Sequence, residues 1–225
     1  MDWSAIALSL RLATATTMIL LFVGLPLASW LALSHRRGRW AVDALVALPL
    51  VLPPTVLGFY VLVALGPRSP IGHAYEAIVG KPIVFSFEGL LVASVLYSLP
   101  FAVQPFAAAF AAVDRNLIET AWCLGASRLR TFTRIIVPLA RPGIIAGAVL
   151  TFAHTVGEFG VVLMVGGNLP GSTRTVSISI YDDVQAFNYA RAGRTAALLF
   201  VFSFVVLGMM YRLQRRSGRG AWPTA

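Results

Sequence analysis

The segment ETAWCLGASRLRTFTRIIVP, Glu119 to Pro138, sets one glutamate and three arginines into a chain that is otherwise apolar enough for lipid. Its spacing predicts helix, turn, helix. Asn116 is placed to cap a first helix, with Glu119 three residues on as the other half of a capping box. That helix runs through Ala121 and Leu124, and Gly125 suits a left-handed stop. Ser127 can cap a second helix from Arg128. The second helix is expected to end by Pro138, because the residue before a proline disfavours helix. Leu117, Ile118, Ala121 and Leu124 share a face that can bury. Two readings fit such a segment: an amphipathic hairpin rimming a bilayer, or a docking element for a partner in the cytoplasm.

The surroundings are those of an integral membrane protein. Of 225 residues, 58% are hydrophobic and 12% charged, with mean hydropathy +0.79, against about 25% charged in soluble domains. About five apolar runs reach membrane-spanning length: 6–33, 42–65, 89–111, 141–165 and 195–213. The fold is therefore expected to be all-α and polytopic, with a transmembrane domain over 5–213 and a basic tail over 214–225. The first run is too long for a signal-peptide core and is read as a retained span. The net charge of +9 does not point to nucleic acid, since the basic residues sit between apolar runs. Twelve of the eighteen lie in the 34–41 gap, the 112–140 loop with Arg141, and the tail with Arg212 at the end of the last span. The positive-inside rule makes that side cytoplasmic, with the N-terminus outside and the C-terminus inside. Residues 119–138 then lie in the largest cytoplasmic loop. Arg11 falls on the other side, near a helix start from which it can snorkel.

Prolines interrupt two spans. Pro53 and Pro54 follow Pro49 in the second, and Pro100 and Pro105 lie in the third. They are kinks for packing or positions lining a pathway or hinge. In the fourth span Thr151, His154, Thr155 and Glu158 follow helical spacing and would share a polar stripe. Such a stripe suits a pathway. Glu158 suits equally an ion pair or bonds to backbone freed by Gly157 and Gly160. His154 alone is an ordinary packing residue. In the outer 166–194 loop, Thr173, Arg174 and Thr175 either meet an anion or a docked protein, or form a turn. Cys123, the single cysteine, excludes a disulfide framework. The three histidines are scattered, so no metal site is expected. The only Gly-Lys pair, Gly80-Lys81, is followed by proline where a P-loop needs Ser or Thr, so ATP chemistry is not expected of this chain.

Glu119-Thr120-Ala121, Gly125, Ile135 and Pro138 resemble the EAA motif of ABC-importer permeases, which reads Glu-Ala-Ala, three residues, Gly, nine residues, Ile, one residue, Leu, Pro. Thr120 stands where alanine is usual and Val137 where leucine is usual. The run Leu48–Gly58, the Gly157-Glu158-Phe159-Gly160 element and Asn168–Thr175 are similar to permeases of the ModB molybdate type, and the likeness covers about 5–215. Sulfate and thiosulfate permeases share the Gly-Glu-Phe-Gly region. The resemblance implies a type I, MetI-like permease fold and a homodimer bearing two cytoplasmic ATPase subunits, which hold ATP and Mg. It also implies a soluble binding protein on the outer face. Glu119, Thr120, Ala121, Gly125, Ala126, Ser127, Ile135 and Pro138 would couple the permease to its ATPase. The substrate it implies is molybdate, with tungstate, sulfate and thiosulfate as alternatives. A self-contained secondary transporter is the contrasting class; it would show internal repeats, and none is visible.

Overall fold

The computed structural model describes the backbone of residues 1–34 and 37–218 and the side chains of the same residues up to 212. Arg36 and the side chains of Arg215, Arg216 and Arg219, counted in the charge asymmetry, lie outside that set. The first helix, α1 (Trp3–Leu33), starts at Asp2, whose carboxylate accepts the Ala5 N–H at 3.1 Å. The Ser4 hydroxyl also donates to it and holds its pKa below the usual carboxylate range. Ser9, Leu12, Thr16, Leu20, Gly24, Ala28 and Leu31 recur every three or four residues and make one buried seam along α1.

That seam packs on α5 (Phe87–Ala111), and both pack on α8 (Val137–Gly157). Lipid tails are as apolar as leucine, so burial alone does not bring these helices together; close packing does. A Cβ on Gly147 of α8 would stand 2.6 Å from the Phe106 ring of α5. The missing side chain is what lets the two helices close. Phe106 and Phe110 are fully buried with Leu20, Leu31 and Ile136 around them. Pro100 and Pro105 lie inside α5 without interrupting it.

The run 42–65 is not one helix. It divides into α2 (Arg39–Val51) and α3 (Pro54–Leu65), bent by 113°. Leu52 and Pro53 are extended, with ψ of 134° and 136°. Pro53 and Pro54 lack the N–H groups that would continue α2, and Pro54 opens α3 at its first turn, where that lack costs nothing. The prolines therefore break the span rather than kink it.

The fourth span also departs from expectation. After α6 (Arg115–Cys123) and α7 (Arg128–Thr131), the chain does not stop at Pro138. A widened π turn over Phe132–Ile136 leads directly into α8, and 128–157 is one helical rod of 30 residues. The Val137 N–H reaches the Phe132 carbonyl five residues back. The extra residue in that turn spreads the backbone ahead of Pro138, whose ring would otherwise clash with the carbonyl four residues back, so the rod passes through the proline. At its other end the rod stops at Glu158. A short α9 (Gly160–Gly166) follows, so 141–165 is a rod plus a broken piece. The last long helix is α11 (Tyr189–Gly218). Among the described residues, four helices are long and apolar enough to cross a membrane, and the α2–α3 pair makes a fifth if counted as one span. Two short helices in the connections, α4 (Pro70–Val79) and α10 (Val176–Gln185), were not expected from the sequence. Gly80 is the left-handed cap of α4, and Lys81 pairs with Glu88 at 3.1 Å, so the Gly-Lys pair belongs to a turn.

Candidate functional site

Three places collect the residues singled out in the sequence. The first is the elbow between α6 and α7. Its opening cap is Asp114, whose carboxylate accepts the Asn116 N–H at 2.9 Å. Asn116 is thus inside the helix, and the expected Asn116–Glu119 capping box is not formed. Asp114 sits one residue before the helix, where its short carboxylate reaches a free N–H directly. Glu119 instead is exposed and lines a cavity beside the end of α1.

The far end of α6 matches expectation. Gly125 has φ +81°, its N–H donates to the Trp122 carbonyl, and the Ala126 N–H donates to that of Ala121, both at 2.9 Å. This pair of bonds is a Schellman cap, which ends a helix sharply. Ser127 then caps α7 by accepting the Arg130 N–H. Ile118 and Ala121 are buried against the bundle, whereas Leu117, Trp122, Leu124 and Leu129 face outward. Leu124 is 82% and Leu129 73% exposed. Only half of the expected apolar face is therefore buried. Thr120 is exposed, Ala126 and Ile135 are half-buried, and Pro138 lies in the rod.

The second place is where the two broken spans meet. The pieces after each break, α3 and α9, pack on one another. A Cβ on Gly58 would stand 2.8 Å from Met164 Cβ, and one on Gly160 would stand 2.7 Å from Pro54 Cβ. These glycines let the half-helices touch along their backbones. A cavity of about 490 Å³ opens at their starts, lined by Thr55, His154, Gly157 and Glu158 among others. Glu158 is not on the helical face assigned to it. It lies past the end of α8 with ψ 134°, and its Oε1 accepts the Val161 N–H at 3.0 Å. The buried carboxylate thus satisfies the first turn of α9, which matches the structural reading of this residue. Its Oε2 stands 3.7 Å from Nε2 of His154. The imidazole itself lies flat against the Phe101 ring, with centroids 3.8 Å apart.

Thr151 and Thr155 do not join them. Both are buried, and they donate to the Gly147 and Thr151 carbonyls one turn back. Thr155 also meets Ser98 of α5 at 3.0 Å. The expected four-residue stripe therefore splits: His154 and Glu158 face the cavity, while the two threonines serve the α5–α8 contact. The break takes only Glu158 out of helical register; within α8 the two threonines turn to carbonyls one turn back and to Ser98, and the His154 ring lies on Phe101.

The third place is the turn between α9 and α10. Thr173 is fully buried; its hydroxyl donates to the Gly166 carbonyl at 2.6 Å and accepts the Leu169 N–H. Thr175 is buried at the start of α10, whose Val176 N–H donates to Ser9 of α1. Thr173 builds the turn, and Thr175 is buried beneath it as the residue before α10. Arg174 is held by Asn168 at 2.7 Å and by Asp182 at 3.4 Å, and Asn168 donates to both oxygens of Asp182. Sequence reasoning quoted Asn168 within a motif but missed Asp182 and the pairing of the two, because fourteen residues separate them and nothing local joins them. Among the described residues no three His, Cys, Asp or Glu side chains are grouped to hold a metal, and Cys123 is a free, exposed thiol.

The family of binding-protein-dependent transport system inner membrane components matches residues 24–219. The ModB molybdenum transport system permease of Azotobacter vinelandii is 53% identical over 95% of each chain. That of Escherichia coli K12 is 35% identical over 97% of each. A probable sulfate transport permease, cysT of Chlorokybus atmophyticus, is 32% identical over 91% of this chain and 71% of its own length. In structure, a crystal structure of a bacterial alginate ABC transporter aligns with TM-score 0.77 at 21% identity, over 95% of this chain and 78% of that one. An inward-facing MetNI methionine transporter aligns with TM-score 0.76 at 17% identity, over 96% and 95%. The resemblance read from the EAA positions and the secondary-transporter alternative are thereby decided. The chain belongs to the binding-protein-dependent ABC importers, as a non-catalytic, MetI-like permease subunit spanning the bacterial inner membrane several times.

Proposed function

We propose that this chain carries molybdate across the inner membrane as a homodimer, driven by two cytoplasmic ATPase subunits and fed by an outer-face binding protein. The 53% identity to a molybdenum permease over nearly the full length of both chains is the observation that carries the substrate class. Twelve of eighteen basic residues on one side support an outside N-terminus and an inside C-terminus. The α6–α7 elbow is then the coupling element. Its outward Leu117, Trp122, Leu124 and Leu129 offer an apolar surface to the ATPase, and Glu119 adds a charge beside it. The 128–157 rod carries movement from the elbow to the break at Glu158 without a flexible joint, apart from one widened turn. His154, Thr55 and Glu158 border the cavity at that break, so the anion path is read as passing there, with one carboxylate oxygen of Glu158 tied to backbone and the other beside His154. Thr173, Arg174 and Thr175 shape the outer turn and make no anion site of their own.

Sulfate is the second reading, since a sulfate permease is 32% identical. The deciding experiment expresses the chain with its own ATPase and binding protein in bacteria lacking molybdate uptake. Cells grow in trace molybdate with excess sulfate, and molybdenum is measured by mass spectrometry. Restored molybdenum is expected. Its absence, with the complex shown to be assembled, moves the assignment to sulfate.

A further inference from the structure

Among the described residues, two that are not glycine hold left-handed backbone: Phe85 at φ +60° and Phe187 at φ +57°. Glycine is the usual residue there. The place of Phe85 is accounted for, since its N–H donates to the Val165 carbonyl at 2.9 Å and its ring lies against Gly167. Phe187 ends α10. Its N–H donates to the Val184 carbonyl at 3.0 Å, and the Asn188 N–H donates to that of Asp183 at 2.8 Å. This is the same Schellman pair that ends α6, where the left-handed residue is Gly125. At Phe187 the backbone is strained and the ring is 79% exposed, so the fold gains neither ease nor burial from it. The Tyr189 ring stands edge-on to it, centroids 6.4 Å apart, and is exposed as well. The turn beneath is braced: Arg191 lies 3.3 Å from the buried Asp183 carboxylate and donates its N–H to the Asn188 carbonyl.

We propose that Phe187 and Tyr189 are the anchor by which the outer-face binding protein docks, entering an apolar notch with an acidic rim on that partner. The inference rests on the importer fed by a binding protein proposed above. Exposed aromatic side chains on a rigid turn are the usual centres of such contacts, because little freedom is lost on docking. Charge gives the rim its sign. Asp182 pairs with Arg174 and Asp183 with Arg191, which leaves Arg194 without a carboxylate among the described residues. Its guanidinium folds back to the Ala190 carbonyl at 3.3 Å, toward the tip. Lipid is a poorer occupant. The apolar run of α11 starts at Thr195; Arg194 and Arg191 come next outward, and Tyr189 lies six residues, about 9 Å, beyond it. Belt aromatics border the hydrocarbon, whereas here the charges lie between. A second copy docked tip to tip would bring only the same unpaired arginine.

The test uses the permease–ATPase complex in lipid nanodiscs and its own binding protein loaded with molybdate. Phe187→Gly removes the ring and relieves the backbone. Affinity for the binding protein is expected to fall at least tenfold, the scale of a lost anchor, with the melting temperature equal or higher. Arg194→Gln should lower the affinity severalfold. Phe187→benzoylphenylalanine should cross-link to the binding protein on illumination. Unchanged affinity in Phe187→Gly, a melting temperature that falls with it, or a cross-link only to lipid or to a second permease overturns the inference alone. A wild-type complex that neither binds the loaded protein nor raises its ATP hydrolysis in response overturns the importer reading as well.

Discussion

Glu158 shows how a membrane span carries a carboxylate. Near a helix centre an acidic group costs about 2.5–3.5 kcal/mol on insertion scales. Here it sits at a break, where the first turn of α9 has N–H groups needing acceptors, and it takes the one from Val161. Glu158→Ala removes that acceptor and is expected to cost about 1 kcal/mol, the usual loss for a helix cap. Glu158→Gln keeps an oxygen at the same reach and is expected to cost less. Thermal unfolding of the purified complex measures both, and equal losses would mean that the charge rather than the acceptor matters. Gly125 poses the opposite case, because a Cβ there meets nothing within 4 Å. Within this chain, the effect of substitution comes from φ +81°. Left-handed backbone costs an L-residue about 1–2 kcal/mol, and asparagine tolerates it best. Gly125→Leu should therefore swing the elbow and uncouple ATP hydrolysis from transport, while Gly125→Asn keeps most of the coupling. Equal transport per ATP in wild type and Gly125→Leu would remove the elbow's role as a lever.

At the scale of elements, both broken spans resolve into half-helices that meet backbone to backbone. Gly160→Ala would set a methyl carbon 2.7 Å from Pro54 Cβ, and that ring is too rigid to turn aside. Forcing α3 from α9 is expected to cost about 1–3 kcal/mol, as in other overpacked cores. Loss of thermal stability with retained membrane insertion is the expected result. An unchanged melting point would mean that the half-helices separate freely. These contacts explain what the sequence could and could not convey. Gly125 and Ser127 act within three or four residues of themselves, so their roles were legible from spacing. The end of the 128–157 rod was misjudged because a π turn seats Pro138, and nothing in the spacing announces the extra residue. The double proline at 53–54 announced a break but not its 113° angle, which depends on packing against α9, a hundred residues away. Asp114 displaced Asn116 as the cap because both precede the same apolar run, and local pattern does not choose between neighbours two residues apart.

For the whole molecule, direction decides function: an importer has to present the elbow to ATP. The topology proposed from the charge asymmetry puts the elbow inside, and one residue allows this to be read without engineering. Cys123 is the only cysteine in the chain, and it is exposed at the last turn of α6. A charged maleimide does not cross a bilayer, so it reacts only from the face where Cys123 lies. In vesicles from cells making the permease without its ATPase, inside-out membranes should label and right-side-out membranes should not. Adding purified ATPase should then slow the labelling. Cys123 lies between Trp122 and Leu124 in the outward apolar surface of the elbow, so a subunit docked there covers the thiol. Labelling of right-side-out vesicles would invert the topology and remove the elbow from the ATPase altogether. Labelling on the expected side but undiminished by ATPase would keep the topology and place the docking surface away from α6, on the Leu129 side of Gly125. The two questions, which way the chain faces and where it is gripped, are thus answered separately by one thiol.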